Sequence, residues 1–480
     1  MKKLIALICL LAMILPLCAC AAEIAPVADS EQTPAAQTKT EAQSTPAKQE
    51  ETKIEYPKDV FTIGFGREDI SGPLPVEVYE GTAEVVGDPL MLSCVAVCDG
   101  ETVALLIATD TRGISRTAYN QCAKQIEKKF GIPGENVIIN TTHSHAAPSI
   151  GSNDRWMKNF YQKLLTAVEE SLLDLAPATA YAGESATENM AFVRRYLMPD
   201  GTYKTHGDKT AVAHETEADR SLRTIRFDRE GDKKDILLVN WQSHYMGGMK
   251  KSELSADVFG NFRELAEKEL DMHFAYFSGS SGNINFNSPI PGEKTIHSRD
   301  DAARELVRAT RDAMAGEKLV QTGEVKTAHS VYQGVVLHDT EERVAQAKEI
   351  TKAGRDSAKG KELIAKYGFS SKYEATAVVK RSELGETVDM NFFAVTFGDI
   401  AFSTAPFEQF DTNGKQVRDG SPFPVTFTLS LTNETHGYIP SYDAYPHKGY
   451  EVSITRFVQG SGEKFAEEQI RLLNECKNAA

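Results

Sequence analysis

The feature of this sequence that most limits its possible folds is a series of short, continuous apolar runs. TVALLIATD at Thr102–Asp110 is one such run, and NVIIN and DILLVNW are others. A strand that is apolar at every position is buried on both faces, so its sheet needs a layer on each side. Helical stretches alternate with these runs, as at Ser115–Phe130, which is closed by Gly131 and Pro133. The alternation predicts an α/β or mixed α+β fold with β-sheets flanked by helices.

Later segments extend the same pattern. Strands are predicted at HFAYFSG, GDIAFSTA and TFTLSLT, and helices are predicted at about 161–175, 259–270 and 299–315. The charged segment at about 341–380 has a helical pattern. It predicts a helical excursion on the surface of the body.

The first residues have the pattern of a secretory signal. Lys2 and Lys3 precede the apolar stretch Leu4–Leu17, which is too short for a comfortable membrane span. The small residue before Cys20 resembles a bacterial lipobox, which predicts a signal peptide at 1–19 and a lipid on Cys20; ordinary cleavage without a lipid is the alternative. The chain is then expected outside the cytoplasm, anchored to the bacterial membrane.

A low-complexity stalk is predicted at 20–57, because Ala, Pro, Gln, Thr, Ser, Glu and Lys dominate there. The body at 58–480 is long enough for one large or two ordinary domains, and none of its segments has the apolar length of a membrane helix. The formal net charge of −15 argues against nucleic acid as a partner.

Four cysteines remain in the body: Cys94, Cys98, Cys122 and Cys476. Cys94 and Cys98 lie in the apolar stretch LSCVAVC, where strand spacing turns both to one face, which predicts a buried thiol pair. A zinc ribbon would need a second pair nearby, and the sequence has none. No disulfide framework is expected.

Polar side chains of ligand or catalytic type follow five of the predicted strands. An isolated H-x-H such as His143-Ser144-His145 is more often a polar loop than a metal site. Here, however, candidates recur just beyond the carboxyl ends of several strands, where sites form in α/β sheets. They are His143 and His145, His244, the loop Gly279–Asn287, Glu408, and the group Asn433, His436 and Tyr438.

Two imidazoles and a carboxylate among these candidates match a catalytic zinc site. His143, His244 and Glu408 would leave one position open for water. Nitrogen ligands fit zinc better than calcium or magnesium, which prefer oxygen shells. A bound zinc would activate water and polarise a carbonyl.

With these residues placed, the sequence resembles the neutral/alkaline non-lysosomal ceramidase family from about Phe61 to Arg456. The motifs that carry the resemblance are IGFGREDISGPLPVEVYEG, THSHAAPS, NWQSHYMGG, APFEQFDTNGKQVR and ETHGYIPSYDAYPHKGYE. Each is weak alone, but their order and spacing are compatible with the family.

The resemblance implies a ceramidase-like catalytic domain with zinc bound by His143, His244, Glu408 and Tyr438. It also implies roles for three further side chains. His145 would lie beside the metal as an acid or base, Tyr450 would stabilise an oxyanion, and Arg194 would be a site arginine. For Arg194 the alternative is a surface arginine beside Arg195.

Two departures from the family pattern stand out. The loop that carries the family's serine nucleophile reads GNINFN here, so Asn285 takes the serine position and Asn283 replaces an aspartate. Ser280 and Ser281 are near, but nothing in the sequence places them as nucleophiles. Water would then attack directly, with Asn285 orienting substrate or stabilising an oxyanion. The immunoglobulin-like C-terminal domain of the family is also not expected, because only a helical tail follows Glu451.

The sequence therefore predicts a lipid-anchored, zinc-dependent hydrolase of an amide, or less readily an ester, on a small-molecule or lipid substrate such as a ceramide-like N-acyl lipid. A metal-dependent amidohydrolase barrel is the alternative enzyme. A lipoprotein that binds a ligand on a ceramidase-like scaffold, without catalysis, is the alternative outside enzymes. The sequence does not indicate the oligomeric state.

Overall fold

A computed structural model describes residues 56–79, 81–244, 250 and 252–479. Residues Ile54–Ala480 form one compact unit. The predicted signal peptide, Cys20 and nearly all of the predicted stalk lie outside the described residues. No helix within the described ranges is both long and apolar enough to cross a membrane.

Strands make up most of the regular structure. In chain order they are β1 (Thr62–Asp69), β2 (Val76–Val78), β3 (Gly81–Ala83), β4 (Val85–Val86), β5 (Met91–Cys98), β6 (Val103–Thr109), β7 (Val137–Thr141), β8 (Ala176–Ala186), β9 (Phe192–Val193), β10 (Arg195–Leu197), β11 (Tyr203–Thr205), β12 (Ala213–His214), β13 (Ser221–Arg229), β14 (Ile236–Trp241), β15 (Glu253–Leu254), β16 (His273–Ser278), β17 (Ile284–Asn285), β18 (Lys318–Val320), β19 (Val325–Val335), β20 (Thr387–Phe397), β21 (Ile400–Ala405), β22 (Glu408–Gln409), β23 (Val425–Ser430) and β24 (Tyr438–Ile439).

The α-helices pack around these strands. In chain order they are α1 (Arg116–Phe130), α2 (Asp154–Leu173), α3 (Asp257–Leu270), α4 (Arg299–Ala315), α5 (Glu341–Lys352), α6 (Ala358–Tyr367), α7 (Lys372–Arg381), α8 (Asp411–Gly420), α9 (Ala444–His447), α10 (Tyr450–Ile454) and α11 (Ser461–Asn478).

Two sheets dominate the fold. The larger has the strand order β16-β14-β13-β8-β1-β5-β6-β7, with β18 beside β8, and the smaller has the order β19-β20-β21-β23. Most neighbouring strands are antiparallel, but β6–β7, β14–β16 and β21–β23 are parallel pairs. The polar loops that the sequence singled out therefore begin just after the carboxyl ends of β7, β14, β16, β21 and β23.

The sheets pack face to face and are covered by helices on their outer sides. Phe65, Leu106 and Phe277 of the larger sheet meet Phe402 and Phe427 of the smaller sheet in a dry core. Helices α1 and α2 cover one part of the larger sheet's outer face, and α3 and α4 cover another part. Helices α8 and α11 cover the smaller sheet. This four-layer arrangement explains why the central strands are apolar at every position, and it confirms the mixed α+β fold.

Buried amides join the two sheets beneath the predicted site. Asn140, at the end of β7, accepts a hydrogen bond from the Ser278 backbone N–H of β16 (2.8 Å) and donates to the Ser430 carbonyl of β23 (2.7 Å). It also donates to the Thr432 hydroxyl (2.9 Å). Strands β7 and β16 lie at opposite edges of the larger sheet, so this sheet must curve to bring both edges to the Asn140 side chain.

Local sequence signals explain where the helices begin and end and how closely they pack. The Ser115 side chain accepts from the Ala118 backbone N–H at the start of α1, and Gly131 ends the helix in the left-handed conformation (φ 73°). Gly64 lies so close to α2 that a Cβ there would come within 2.0 Å of the Ser171 carbonyl oxygen. Helix α2 starts earlier than its apolar pattern indicated, because the Asn153 side chain caps it.

The remaining sequence expectations can be compared directly. Cys94 and Cys98 are buried in β5, and both pack into the same core cluster, as predicted. The body cysteines Cys94, Cys98, Cys122 and Cys476 are all free. The segment at about 341–380 forms α5, α6 and α7, which share a small apolar core of their own.

Candidate metal centre

The loops that follow the parallel strands bring His143, His244 and Glu408 together. One ligand atom from each of the three residues lies within 4.8 Å of the others. The His244 Nε2 atom is 2.8 Å from the nearer Glu408 oxygen, and the His143 Nε2 atom is 3.5 Å from that oxygen. His244 and Glu408 are buried, whereas His143 is partly exposed. The predicted cluster therefore exists and is open on the side of His143.

Backbone carbonyls fix the orientation of both imidazoles. The His143 Nδ1–H donates to the Arg112 carbonyl, and the His244 Nδ1–H donates to the Ser281 carbonyl, each at 2.7 Å. In the neutral rings the Nε2 lone pairs then face Glu408. A lone pair 2.8 Å from a carboxylate oxygen is repulsive unless a cation sits between them, so the donor set fits a bound metal.

Burial and mutual charge set the protonation states of the cluster. Burial lowers the pKa of His143 to about 4. Burial alone would raise the pKa of Glu408, but the nearby His143 and His244 imidazoles and a hydrogen bond from Tyr438 hold this pKa well below its usual range. At neutral pH the His143 imidazole is uncharged and the Glu408 carboxylate is ionised, which are the forms that bind a metal.

Tyr438 completes the cluster through a short strand pairing. Glu408 and Tyr438 are direct partners in the parallel pair β22–β24, which places their side chains next to each other. The Tyr438 hydroxyl lies 3.3 Å from the His244 Nε2 atom. Burial, and then the Glu408 carboxylate, raise the pKa of Tyr438 well above its usual value. In the metal-free cluster Tyr438 is therefore a neutral phenol.

His145 lies beside the cluster rather than in it. Its Nε2 atom is 3.2 Å from the His143 Nε2 atom, and its ring meets the Tyr79 ring edge-on at 4.7 Å. Burial, and then the charges of His143 and His244, lower the pKa of His145 to about 2. Its imidazole is therefore neutral under ordinary conditions.

The metal-free protein is expected to lose stability as the pH falls from about 6.5 towards about 4. His143 and His145 take up protons less readily in the folded protein than in the unfolded chain, so in this window the unfolded state binds more protons. The free energy of unfolding should fall by on the order of 1 to 3 kcal/mol per pH unit. Denaturant unfolding after chelation, repeated across this window, measures the slope. If His145→Gln shows the same slope of unfolding free energy against pH as the unaltered protein, His145 does not contribute to this loss of stability.

Arg194 is buried, so the alternative of a surface arginine is wrong. Its side chain is 2% exposed, its Nε donates to Glu451 at 2.8 Å, and its terminal nitrogen donates to the Gly282 carbonyl at 3.0 Å. Its guanidinium carbon lies 5.4 Å from the centre of the Tyr438 ring. Arg194 therefore braces both the Gly279–Asn287 loop and Tyr438, and Glu451 neutralises its charge.

The loop at Gly279–Asn287 places Asn285 beside His244. These two residues form a parallel β-bridge, and the His244 N–H donates to the Ile284 carbonyl at 3.0 Å. Ser280 and Ser281 are almost fully buried. The Ser280 hydroxyl donates to the Gln409 side chain, and Ser281 contributes the carbonyl that holds His244. Asn285 is thus the residue of this loop that the structure brings to the cluster.

Asn283 of this loop has a structural role. Asn283 donates to the Asp411 carboxylate at 2.7 Å and accepts from the Asp411 N–H at 2.9 Å. This pairing ties the loop to the start of α8, three residues beyond the metal-site glutamate. His436 also lies away from the cluster, because its Nε2 contacts Glu434 at 2.7 Å.

Tyr450 connects the cluster to the three-helix excursion. Its ring packs edge-on against the Tyr438 ring at 5.7 Å, and on its other side it meets the Tyr373 ring of α7 at 5.9 Å. Arg381, at the end of α7, donates to the carbonyl of Ser453 within α10 and to that of Thr455 just after it. The helices α5–α7 therefore reach the site, which the sequence pattern did not indicate.

Comparison with known proteins supports the family resemblance at the level of fold. The neutral ceramidase from Pseudomonas aeruginosa superposes with a TM-score of 0.64 over 87% of this chain and 75% of that chain, at 13% sequence identity. A ceramidase complexed with C2 gives a TM-score of 0.64 over 86% of this chain and 75% of that chain, at 14% identity. This chain has the neutral ceramidase fold.

The observed fold tests two of the sequence-based expectations. Its sheets do not close into a barrel in the described residues, so the amidohydrolase-barrel alternative is wrong. The ceramidase resemblance inferred from weak motifs is confirmed for the fold. No protein-family model and no curated protein sequence matches the chain.

Sequence reasoning did not single out several residues that shape the site. Tyr79 and Arg112 flank His145, Glu451 neutralises Arg194, and Tyr373 covers Tyr450. Arg112 lies three residues beyond the buried strand β6, so the rule that identified the other loops could have found it. Nothing in the sequence around Tyr373 points to the site, because its position depends on how α7 packs.

Proposed function

We propose that the chain is a metal-dependent hydrolase of amide bonds that acts outside the cytoplasm. The observation that carries this proposal is the pair of imidazoles whose Nδ1 atoms are held by carbonyls and whose Nε2 atoms face the buried Glu408 carboxylate. Zinc suits this donor set, and when bound it would polarise the amide carbonyl and lower the pKa of a nearby water. The ceramidase fold supports the same reaction class by analogy.

His145 is the proposed acid and base. An imidazole at this place beside the candidate ligand His143 would accept the proton that the attacking water releases. The water oxygen bonds to the carbonyl carbon, the C–N bond breaks, and His145 passes the proton to the departing amine. The position of His145 beside His143 supports this assignment.

Tyr450 and Asn285 are the proposed donors to the developing oxyanion. Burial, and then Glu408, raise the pKa of Tyr450 to about 12, so its phenol keeps the proton that it would donate. Asn285 offers a partly exposed amide beside His244, where it would orient the substrate or share the oxyanion. Arg194 is a positioning residue, since its charge is satisfied by Glu451.

Metal content of the purified protein tests the proposed centre. We expect about one zinc per chain, and we expect it to be lost in both His143→Ala and Glu408→Ala. Zinc that remains bound in both variants would place the metal elsewhere. If the unaltered protein holds no metal after zinc is supplied, the proposed mechanism is wrong.

A panel of N-acyl substrates tests the reaction class. A ceramide-like N-acyl sphingolipid is one candidate, and simpler N-acyl amines and N-acyl amino acids are others. Asn285 at the family's serine position favours the alternative that the chain binds a ligand without hydrolysing it. A protein that holds zinc but hydrolyses no member of the panel would support that alternative.

We further propose that a lipid on Cys20 anchors the chain to the bacterial membrane. The support is the signal-like sequence of 1–19 followed by the low-complexity stretch at 20–57. In the native host, Cys20→Ala should move the protein from the membrane fraction to the soluble fraction. If the variant stays in the membrane fraction, the lipid anchor is wrong.

A further inference from the structure

Arg112 lies beside the candidate metal centre. It follows β6, and its own carbonyl accepts the His143 Nδ1–H at 2.7 Å. Its guanidinium carbon sits 4.5 Å from the centre of the Tyr79 ring, whose edge contacts His145. The positive charge of Arg112 therefore stands beside both histidines of the H-x-H motif.

Unlike the other arginines around the site, Arg112 has no carboxylate partner among the described residues. Arg194 and Arg195 are both paired with Glu451, and Arg116 is paired with Glu434. Arg112 is only partly exposed, and the ring that it stacks on carries no charge. A partly buried guanidinium without a counter-ion is well suited to receive an anion in a bidentate hydrogen bond.

Aromatic side chains also lie next to the cluster. Tyr79 stacks under Arg112, and Tyr450 is covered by Tyr373 of α7. The Tyr79 ring meets His145 and the Tyr450 ring meets Tyr438, so both tyrosines lie beside the cluster. These aromatic rings would fit an apolar chain of a substrate. Among the described residues, Arg112 is the only cation beside the histidines that has no carboxylate partner.

Building on the proposed function, we propose that Arg112 binds an anionic group of the substrate. The substrate class is then an amide with an apolar acyl chain on one side and a carboxylate or phosphate close to the scissile nitrogen on the other. A neutral ceramide would leave Arg112 unpaired. Arg112 would thus be a specificity-determining residue rather than part of the bond-breaking machinery.

Two matched pairs of amides test this inference. N-dodecanoylglycine and N-dodecanoylglycinamide differ only in the carboxylate, and N-dodecanoyl-O-phosphoethanolamine and N-dodecanoylethanolamine differ only in the phosphate. The zinc-loaded protein should prefer one or both anionic members. In Arg112→Gln the ratio of kcat/KM between anionic and neutral members should fall about 10- to 100-fold, mainly through KM. Arg112→Lys should keep part of the preference.

A matched control variant separates this effect from a general loss of positive charge. Arg304 is 63% exposed, and Arg304→Gln should leave the ratio unchanged. A ratio that is unchanged in Arg112→Gln would overturn the inference while leaving the hydrolase intact. Which pair shows the preference distinguishes a carboxylate from a phosphate.

Binding of a non-hydrolysable pair keeps the inference testable without turnover. In 4-oxopentadecanoate a methylene group replaces the amide N–H of N-dodecanoylglycine, and 4-oxopentadecanamide is its neutral counterpart. Calorimetric titration should show tighter binding of the acid to the unaltered protein, with the difference lost in Arg112→Gln. Equal affinities in the unaltered protein would overturn the inference, whether or not any amide is hydrolysed.

Discussion

Replacing His244 with alanine is expected to abolish metal binding and to lower amide hydrolysis by about a thousandfold or more. His244 is buried, its Nδ1 is held by the Ser281 carbonyl, and its Nε2 lies nearest to Glu408. Its loss removes one of three ligand atoms and leaves the Glu408 carboxylate buried without its closest partner. A metal contributes several kcal/mol to stabilising the transition state, and each 1.4 kcal/mol is about tenfold in rate.

The measurement is kcat/KM on the best amide of the panel, together with metal content. His297→Ala is the matched control, because His297 is an exposed histidine in the loop before α4. Its activity and metal content should equal those of the unaltered protein. Full activity in His244→Ala would show that the cluster is not the reaction centre. Lost activity with full metal content would show that His244 acts other than as a ligand.

Replacing Asn140 with alanine is expected to cause a large loss of stability for a single side chain outside the metal cluster. The amide of Asn140 satisfies the Ser278 N–H and the Ser430 carbonyl, which belong to different sheets. Removing it leaves two buried polar groups without partners, each costing about 1 to 3 kcal/mol. The free energy of unfolding should therefore fall by roughly 2 to 5 kcal/mol.

Denaturant unfolding of the metal-free protein measures this loss without a contribution from the metal. Asn261→Ala is the control, since the Asn261 amide makes one hydrogen bond to Asp300 at the surface. We expect its change to stay within about 0.5 kcal/mol of zero. A similarly small change in Asn140→Ala would mean that neighbouring groups take over its hydrogen bonds.

The strands and the convergence of their loops could be predicted from sequence because both depend on local patterns. Continuous burial of TVALLIATD requires covering layers, and polar residues after such a run indicate a sheet edge. The same rule predicts that His143, His244 and Glu408 lie at one edge, and the three side chains do meet there. The same rule singled out Tyr438, and the family resemblance added its role as a ligand. The resemblance also added Tyr450. The positions of the two tyrosines are determined by β24 and α10.

Other features depend on long-range pairing that no local pattern contains. Strand β1 pairs with both β5 and β8, and α7 meets Tyr450 only because Arg381 ties the excursion to α10. The burial of Arg194 could not be predicted from the sequence either, because its partner Glu451 lies 257 residues away in the chain. Charged residues with distant partners look like surface residues in a sequence.

The candidate ligands come from both sheets, and this has a consequence for the order in which the protein is made. His143 and His244 follow strands of the larger sheet, while Glu408 and Tyr438 follow strands of the smaller one. His244 and Glu408 are 164 residues apart, and His244 and Tyr438 are 194 residues apart. Under the proposed export, a chain that crosses the membrane amino-terminus first would present its histidines long before their oxygen partners arrive. Metal binding at the candidate centre would then have to wait for the last quarter of the chain, which carries Glu408 and Tyr438.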